Sequence, residues 1–165
     1  MEYSLDSPFG PLILGFSGGQ LTSLRLAGQD SAPPYRRGGA GAGAEMVADW
    51  LRAYFAGENP EPAAIAFKAK GTAFQERVWE ALLGIPYGYC VTYGFLAGLL
   101  SRGKRPGRLL ARAVGNALAR NPIWIIVPCH RVIRANGDLG NYAGGVEMKR
   151  ALLRLEGAAL REFEE

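Results

Sequence analysis

The chain concentrates its chemistry in Asn121-Pro122-Ile123-Trp124-Ile125-Ile126-Val127-Pro128-Cys129-His130-Arg131, where an apolar, β-like run enters a proline-fixed turn bearing a thiol, an imidazole and a guanidinium. A single cysteine is ordinarily a small core residue. Here the neighbouring cations argue for a nucleophile, because positive charge lowers a thiol pKa and the thiolate is the reactive form. On an extended segment consecutive side chains face opposite ways, so Cys129 and His130 need not touch. A bridging water can connect them, and a carboxylate from elsewhere can orient the imidazole. Glu156 is the candidate, ending a helix expected over 146–156 that also carries Lys149; by spacing alone it reads as a surface charge.

The rest of the composition narrows the chemistry. Two cysteines, Cys90 and Cys129, and one histidine are too few for a zinc site of the usual Cys/His kind, so neither metal nor cofactor is expected. A disulfide between the two is allowed by number, but a cytoplasmic chain keeps them as free thiols. The opening MEYSLDSPFG has no basic leader and no run reaches the ~20 apolar residues that span a bilayer, which predicts a soluble, cytoplasmic protein. The net charge of +4 is unevenly distributed: residues 1–66 hold four Arg against seven acids, and residues 67–165 hold fifteen Lys/Arg against eight acids. Between positions 81 and 137 there is no acid at all, whereas Arg102, Lys104, Arg105, Arg108, Arg112, Arg120, Arg131 and Arg134 lie there. Such a run favours a surface that faces phosphates.

The elements that must carry these groups are legible in outline. LILGF and LTSLRL, separated by Ser17-Gly18-Gly19, predict a β-hairpin. Residues 31–43 are a Pro/Gly/Ala-rich loop, and residues 44–56 a helix with Met46, Val47, Trp50, Leu51, Tyr54 and Phe55 at helical spacing, closed by Gly57. The proline-rich stretch 58–70 places a domain boundary near residue 67, giving an N-terminal domain over 1–66 and a C-terminal domain over 67–165. Thr72 caps the next helix, with Phe74, Val78, Trp79, Leu82 and Leu83 as its apolar stripe. A short helix around Tyr93–Leu100 follows, then the basic turn SRGKRPG, then a helix over 108–120 whose Ala111, Ala113, Gly115, Ala117 and Ala119 keep its surface thin. Thinness suits tight helix packing as well as close approach to another surface; helix, basic turn and thin basic helix together outline a helix-turn-helix.

Six blocks in order, FQERVWEALLGIPYG, VTYG, ARAVGNALARNP, IVPCHRVI, GNYAGG and KRALLRLEG, resemble the O6-alkylguanine-DNA alkyltransferase family, the methylated-DNA–protein-cysteine methyltransferases. The resemblance covers about 74–157; N-terminal to it only SPFGPL is similar. It implies an α+β chain, with a small ribonuclease H-like N-terminal sheet/helix domain and a mostly helical C-terminal domain of winged helix-turn-helix type. The implied function is DNA repair by direct reversal, an irreversible, stoichiometric transfer of the alkyl group from O6-alkylguanine, and O4-alkylthymine, onto Cys129. The implied partner is double-stranded DNA bound through its minor groove by a monomer.

Residue by residue, Cys129 resembles the alkyl acceptor, His130 the water-linked base, Glu156 the carboxylate that orients it and Asn121 the residue bracing the active-site turn. Arg112 matches the arginine that fills the space left by a flipped base. Tyr93 matches the residue that pushes the 3′ phosphate and donates to guanine N3. Val132 and Tyr142 would line the base pocket, and Lys149 would lie near the sulfur. Extrusion is a chemical necessity, since the O6 substituent of a stacked guanine is out of a protein thiolate's reach.

Two departures matter. Ala143 stands where the family often has Ser, and Trp124 replaces a smaller residue, which is expected to narrow the pocket against bulky adducts. The turn over 101–108 is longer and more basic than usual, with Lys104 and Arg105 either holding phosphates or facing solvent. Three other classes compete: a lesion sensor on the same fold that binds without repair, a winged-helix regulator and a thiol hydrolase. The sensor would lack the acceptor cysteine, the regulator would need longer base-reading side chains than an alanine-rich helix offers, and the hydrolase leaves the basic helix unexplained.

Overall fold

A computed structural model describes residues 1–102 and 107–158 of the chain, so Lys104 and Arg105 lie outside the described residues. The fold is mixed α/β, with small sheets and, among the described residues, five α-helices. It divides into two compact units, Met1–Lys70 with Pro122–Ile126, and Gly71–Asn121 with Val127–Glu165.

In the first unit, β2 (Leu12–Ser17) and β3 (Gln20–Leu26) pair antiparallel about Gly18-Gly19. Both glycines have positive φ, 57° and 79°, as the tight hairpin turn between right-twisted strands requires. A further strand, β1 (Glu2–Leu5), pairs antiparallel with β2 from Glu2↔Gly15 to Leu5↔Leu12. The hairpin expectation missed it because EYSL is polar and half-exposed, with too little apolar alternation to register. Helix α1 (Ala42–Phe55) buries Val47, Ala48, Leu51 and Tyr54, and Trp50 stacks on Tyr54 at 5.5 Å; Met46 faces outward. Gly43 in its first turn lets the helix lie close to the hairpin turn, since a Cβ there would come within 2.6 Å of the Gly19 carbonyl oxygen.

The free edge of β3 is closed by two distant segments. Leu21 donates to the Ala66 carbonyl at 2.9 Å, and Leu24 donates to the Pro122 carbonyl at 2.8 Å while its own carbonyl accepts from Trp124 at 3.0 Å. These bonds satisfy backbone groups that an open edge leaves unpaired. They also draw Pro122–Ile126, expected in a domain running from residue 67, into the first unit, whose main body extends to Lys70.

In the second unit, α2 (Ala73–Leu82) begins with a reciprocal cap: the Thr72 hydroxyl accepts from the Gln75 N–H at 3.1 Å, and the Gln75 amide oxygen accepts from the Thr72 N–H at 3.0 Å. Such a cap contributes about 1 kcal/mol. Its Val78, Trp79 and Leu82 are buried, and the Trp79 indole N–H donates to the Ala117 carbonyl at 2.8 Å, fixing α2 against α4 (Arg108–Ala119). Strands β4 (Val91–Thr92) and β5 (Val132–Ile133) form a parallel pair, Val91↔Val132 and Thr92↔Ile133. Helix α3 (Tyr93–Leu100) springs directly from β4, capped by the Thr92 hydroxyl. Helix α4 buries Val114, Ala117 and Leu118 and exposes Arg108, Arg112, Asn116 and Arg120 on its other side. Helix α5 (Val146–Leu155) buries Met148, Lys149, Leu152 and Leu153. Among the described residues no helix is long and apolar enough to cross a membrane.

Candidate active site

The apolar run before Cys129 is not a strand. Residues 122–127 form turns, with Ile125 at φ 72°, and Cys129 opens a short 3-10 turn, Cys129–Arg131, that leads into β5. A β-branched residue rarely adopts positive φ, so this entry is held by its surroundings. One restraint is Asn121, 4% exposed, whose amide donates to the Val127 carbonyl at 2.9 Å.

Behind the cysteine lies a buried polar cluster. The Glu156 carboxylate accepts from His130 Nε2 at 2.6 Å and from Arg131 at 2.7 Å (Nε) and 3.1 Å (Nη2). The third edge of the Arg131 guanidinium donates to the Ile85 carbonyl at 2.7 Å, and its central carbon lies 5.9 Å from the Tyr87 ring centroid. Burial alone would raise the Glu156 carboxyl, but the bonds from His130 and Arg131 outweigh it and hold the group at about 2. Burial also lowers His130 below its ordinary 6.5, against the pull of Glu156, so the ring is neutral at pH 7. Since Nε2–H faces the carboxylate, Nδ1 carries the free lone pair. It is buried without a hydrogen-bonding partner among the described residues.

The thiol itself overturns the expected depression of its pKa. Burial raises Cys129 above its ordinary value, more than a hydrogen bond from Asn121 and the charge of Lys149 lower it. Arg131, expected to act on the sulfur, is instead committed to Glu156. The resting group is therefore a neutral thiol that needs a base, and His130 Nδ1 has the right protonation state to serve as one.

Cys129, 7% exposed, lines a cavity of about 580 Å³. Tyr93, Arg112, Tyr142 and Ala143 line it too, as do Gly115 and Leu118 of α4. Burial raises the Tyr93 and Tyr142 hydroxyls, so both keep their protons at neutral pH. Lys149 is fully buried beneath, donating to the carbonyls of Val132 at 2.6 Å and Asn141 at 3.4 Å, with its ammonium 5.9 Å from the Tyr93 ring centroid. Burial brings it down to about 8. Val132 is thus not a wall of the cavity; its side chain is buried and its carbonyl anchors Lys149.

Trp124 belongs to the first unit. Its backbone N–H donates there to the Leu24 carbonyl at 3.0 Å. Several residues that do build the site escaped sequence reasoning: Arg131 as the second partner of Glu156, Asn116, Asn141 and Arg134 in the lining, and Gly140. Gly140 has φ 77°, and a Cβ there would lie 2.8 Å from the Tyr93 hydroxyl, so glycine is what lets that phenol sit where it does. Its signal was present in the GNYAGG block, but not the identity of the group pressing on it.

Residues 73–158 match the model of the family described as 6-O-methylguanine DNA methyltransferase, DNA binding domain. The chain is 52% identical to the methylated-DNA–protein-cysteine methyltransferase of Mycobacterium leprae over 156 residues, 93% of this chain and 90% of that one. It is similar to the crystal structure of Mycobacterium tuberculosis OGT in complex with DNA at a TM-score of 0.78 and 46% identity, covering 98% of this chain and 97% of that one. The O6-methylguanine-DNA methyltransferase of Pyrococcus kodakaraensis is more distant, with a TM-score of 0.63 and 27% identity over 95% of this chain and 98% of that one.

Proposed function

The chain belongs to the 6-O-methylguanine DNA methyltransferase family, and on that premise we propose that it repairs alkylated DNA by a single, irreversible transfer of the alkyl group from guanine O6, or thymine O4, to Cys129. The observation that carries this is the pairing of a buried thiol at a cavity with a neutral imidazole whose one free nitrogen is its basic one.

The chemistry follows from those protonation states. His130 Nδ1 takes the Cys129 proton through a bridging water, and the Glu156 carboxylate stabilises the imidazolium that forms. The thiolate attacks the alkyl carbon; the S–C bond forms as the C–O6 bond breaks, and the electron pair passes into the guanine ring. Tyr93 donates its proton to guanine N3, so that neutral guanine leaves. The His130 imidazolium then gives up its proton through water and the Tyr93 phenolate regains one, so that in sum the thiol proton replaces the alkyl group on the base and no further reactant is consumed. A thioether has no route back to a thiol here, which makes the protein a reagent used once.

Docking in the minor groove by α4 is supported by the helix's small residues, which permit close approach, and by the exposed Arg112, positioned to enter the stack as the nucleotide is extruded. Asn121 braces the turn and Tyr142 walls the base site. We read the first unit as ribonuclease H-like, and α3, α4 and the β4/β5 pair as a winged helix-turn-helix, acting as a monomer in the cytoplasm. Titration with an excess of duplex bearing O6-methylguanine is expected to repair one lesion per chain and stop. Continued turnover contradicts the proposal, and binding with no repair favours the lesion sensor.

A further inference from the structure

Arg134 has no assigned role above, yet the fold places it beside the reacting groups. Strands β4 and β5 pair in parallel, Val91↔Val132 and Thr92↔Ile133, and Tyr93 and Arg134 are the residues that follow the two strand ends, both in the lining of the Cys129 cavity. Arg134 lines the Cys129 cavity and also a second cavity of about 380 Å³, formed with Thr92, Ile133 and Asn136. Among the described residues it is the one that borders both cavities, and its charge acts on Tyr93. No Asp or Glu among the described residues lines either cavity.

The guanidinium is exposed and, among the described residues, its side chain makes no hydrogen bond or ion pair. The nearest acid along the chain is Asp138, whose carboxylate accepts from the Asn136 amide at 3.1 Å. The backbone of the turn is closed by Arg134 N–H to the Asp138 carbonyl at 2.9 Å and Gly137 N–H to the Arg134 carbonyl at 3.0 Å, so the cation stands on a fixed support. An unpaired guanidinium on an anchored turn, bordering two cavities that hold no acid among the described residues, suits a tetrahedral oxyanion, since its fork matches phosphate geometry.

We propose that Arg134 binds a phosphodiester flanking the extruded nucleotide, holding the strand where it passes from the Cys129 cavity to the neighbouring one. This rests on the repair function proposed above. Tyr93, a neutral phenol, can displace a phosphate but cannot neutralise it; Arg134 supplies the missing charge. Contacts of this kind position the strand and carry no sequence information.

The test compares wild type, Arg134→Ala and Arg134→Lys on a duplex containing O6-methylguanine and on free O6-methyl-2′-deoxyguanosine, which has no phosphodiester. Arg134→Ala is expected to slow transfer from the duplex by about 10- to 100-fold, as loss of a charged hydrogen-bonded contact does, with partial recovery in Arg134→Lys. The nucleoside rate falls by much less, because there only the small effect of the Arg134 charge on Tyr93 is lost. Duplexes carrying one uncharged methylphosphonate, 3′ or 5′ of the lesion, identify the partner: at one of the two positions wild type is slowed and Arg134→Ala is slowed no further. Binding to unmodified duplex loses about one unit of salt dependence in Arg134→Ala. An equal loss on duplex and nucleoside, an unchanged duplex rate, or additive effects at both methylphosphonates overturns the proposal. Failure of the wild-type chain to accept an alkyl group from the duplex refutes the repair function instead, while the salt dependence still reads Arg134 separately.

Discussion

Glu156→Gln is expected to slow alkyl transfer by roughly 100- to 1000-fold and to destabilise the protein by about 3 kcal/mol. The carboxylate holds two buried groups at once, His130 and Arg131. A neutral amide leaves the Arg131 charge, 8% exposed, without a counter-ion and removes the anion that stabilises His130 as it becomes protonated. The stability effect has a defined pH signature. The Glu156 pKa is depressed in the folded chain to about 2 from 4.5, so its contribution is complete above pH 4.5 and lost as pH falls toward 2. A displacement of that size corresponds to roughly 3 kcal/mol. Urea midpoints measured between pH 7 and 2.5 should therefore fall on the acid side in wild type and change less in Glu156→Gln. An unaltered transfer rate, or parallel pH curves for the two proteins, would remove the His130–Glu156 pair from the mechanism.

Tyr93→Phe is expected to slow transfer by about 100- to 1000-fold with duplex binding unchanged. The substitution keeps the ring beside Lys149 and Gly140 and removes only the hydroxyl. Burial raises that hydroxyl's pKa, so at neutral pH it is a proton donor and not a phenolate. Its loss leaves guanine to depart as an anion, and the defect should shrink for bases whose anions are more stable. Equal rates for the two proteins would assign Tyr93 to strand positioning alone.

What could be read from the sequence was what is encoded locally. The reciprocal cap of Thr72 and Gln75, the Gly18-Gly19 turn, and α3 and α4 each follow from residues within a few positions of one another. Cys129 and His130, the proposed nucleophile and base, could also be singled out, because PCHRV places them together. Arg131 was misjudged because its partners, Ile85 and Glu156, are distant in sequence; a guanidinium adjacent to a thiol says nothing of where it points. The same omission reversed the sign of the Cys129 shift, which burial decides. The place of Trp124 was not legible for a topological reason: β3 captures Pro122–Ile126 through backbone bonds to Leu24, and no side-chain pattern announces such a bond. Arg134 was one more cation in a basic run until β4 and β5 paired in parallel and set it, with Tyr93, in the lining of the Cys129 cavity.

Mapping the modified residue tests the central claim most directly. The protein is mixed with a duplex containing one O6-methylguanine, digested, and its cysteine peptides are weighed. Cys129 should carry a single methyl group and Cys90 none, with guanine restored in the DNA. A methyl on Cys90, or bound protein with both cysteines unmodified, would contradict the assignment of Cys129 as the acceptor.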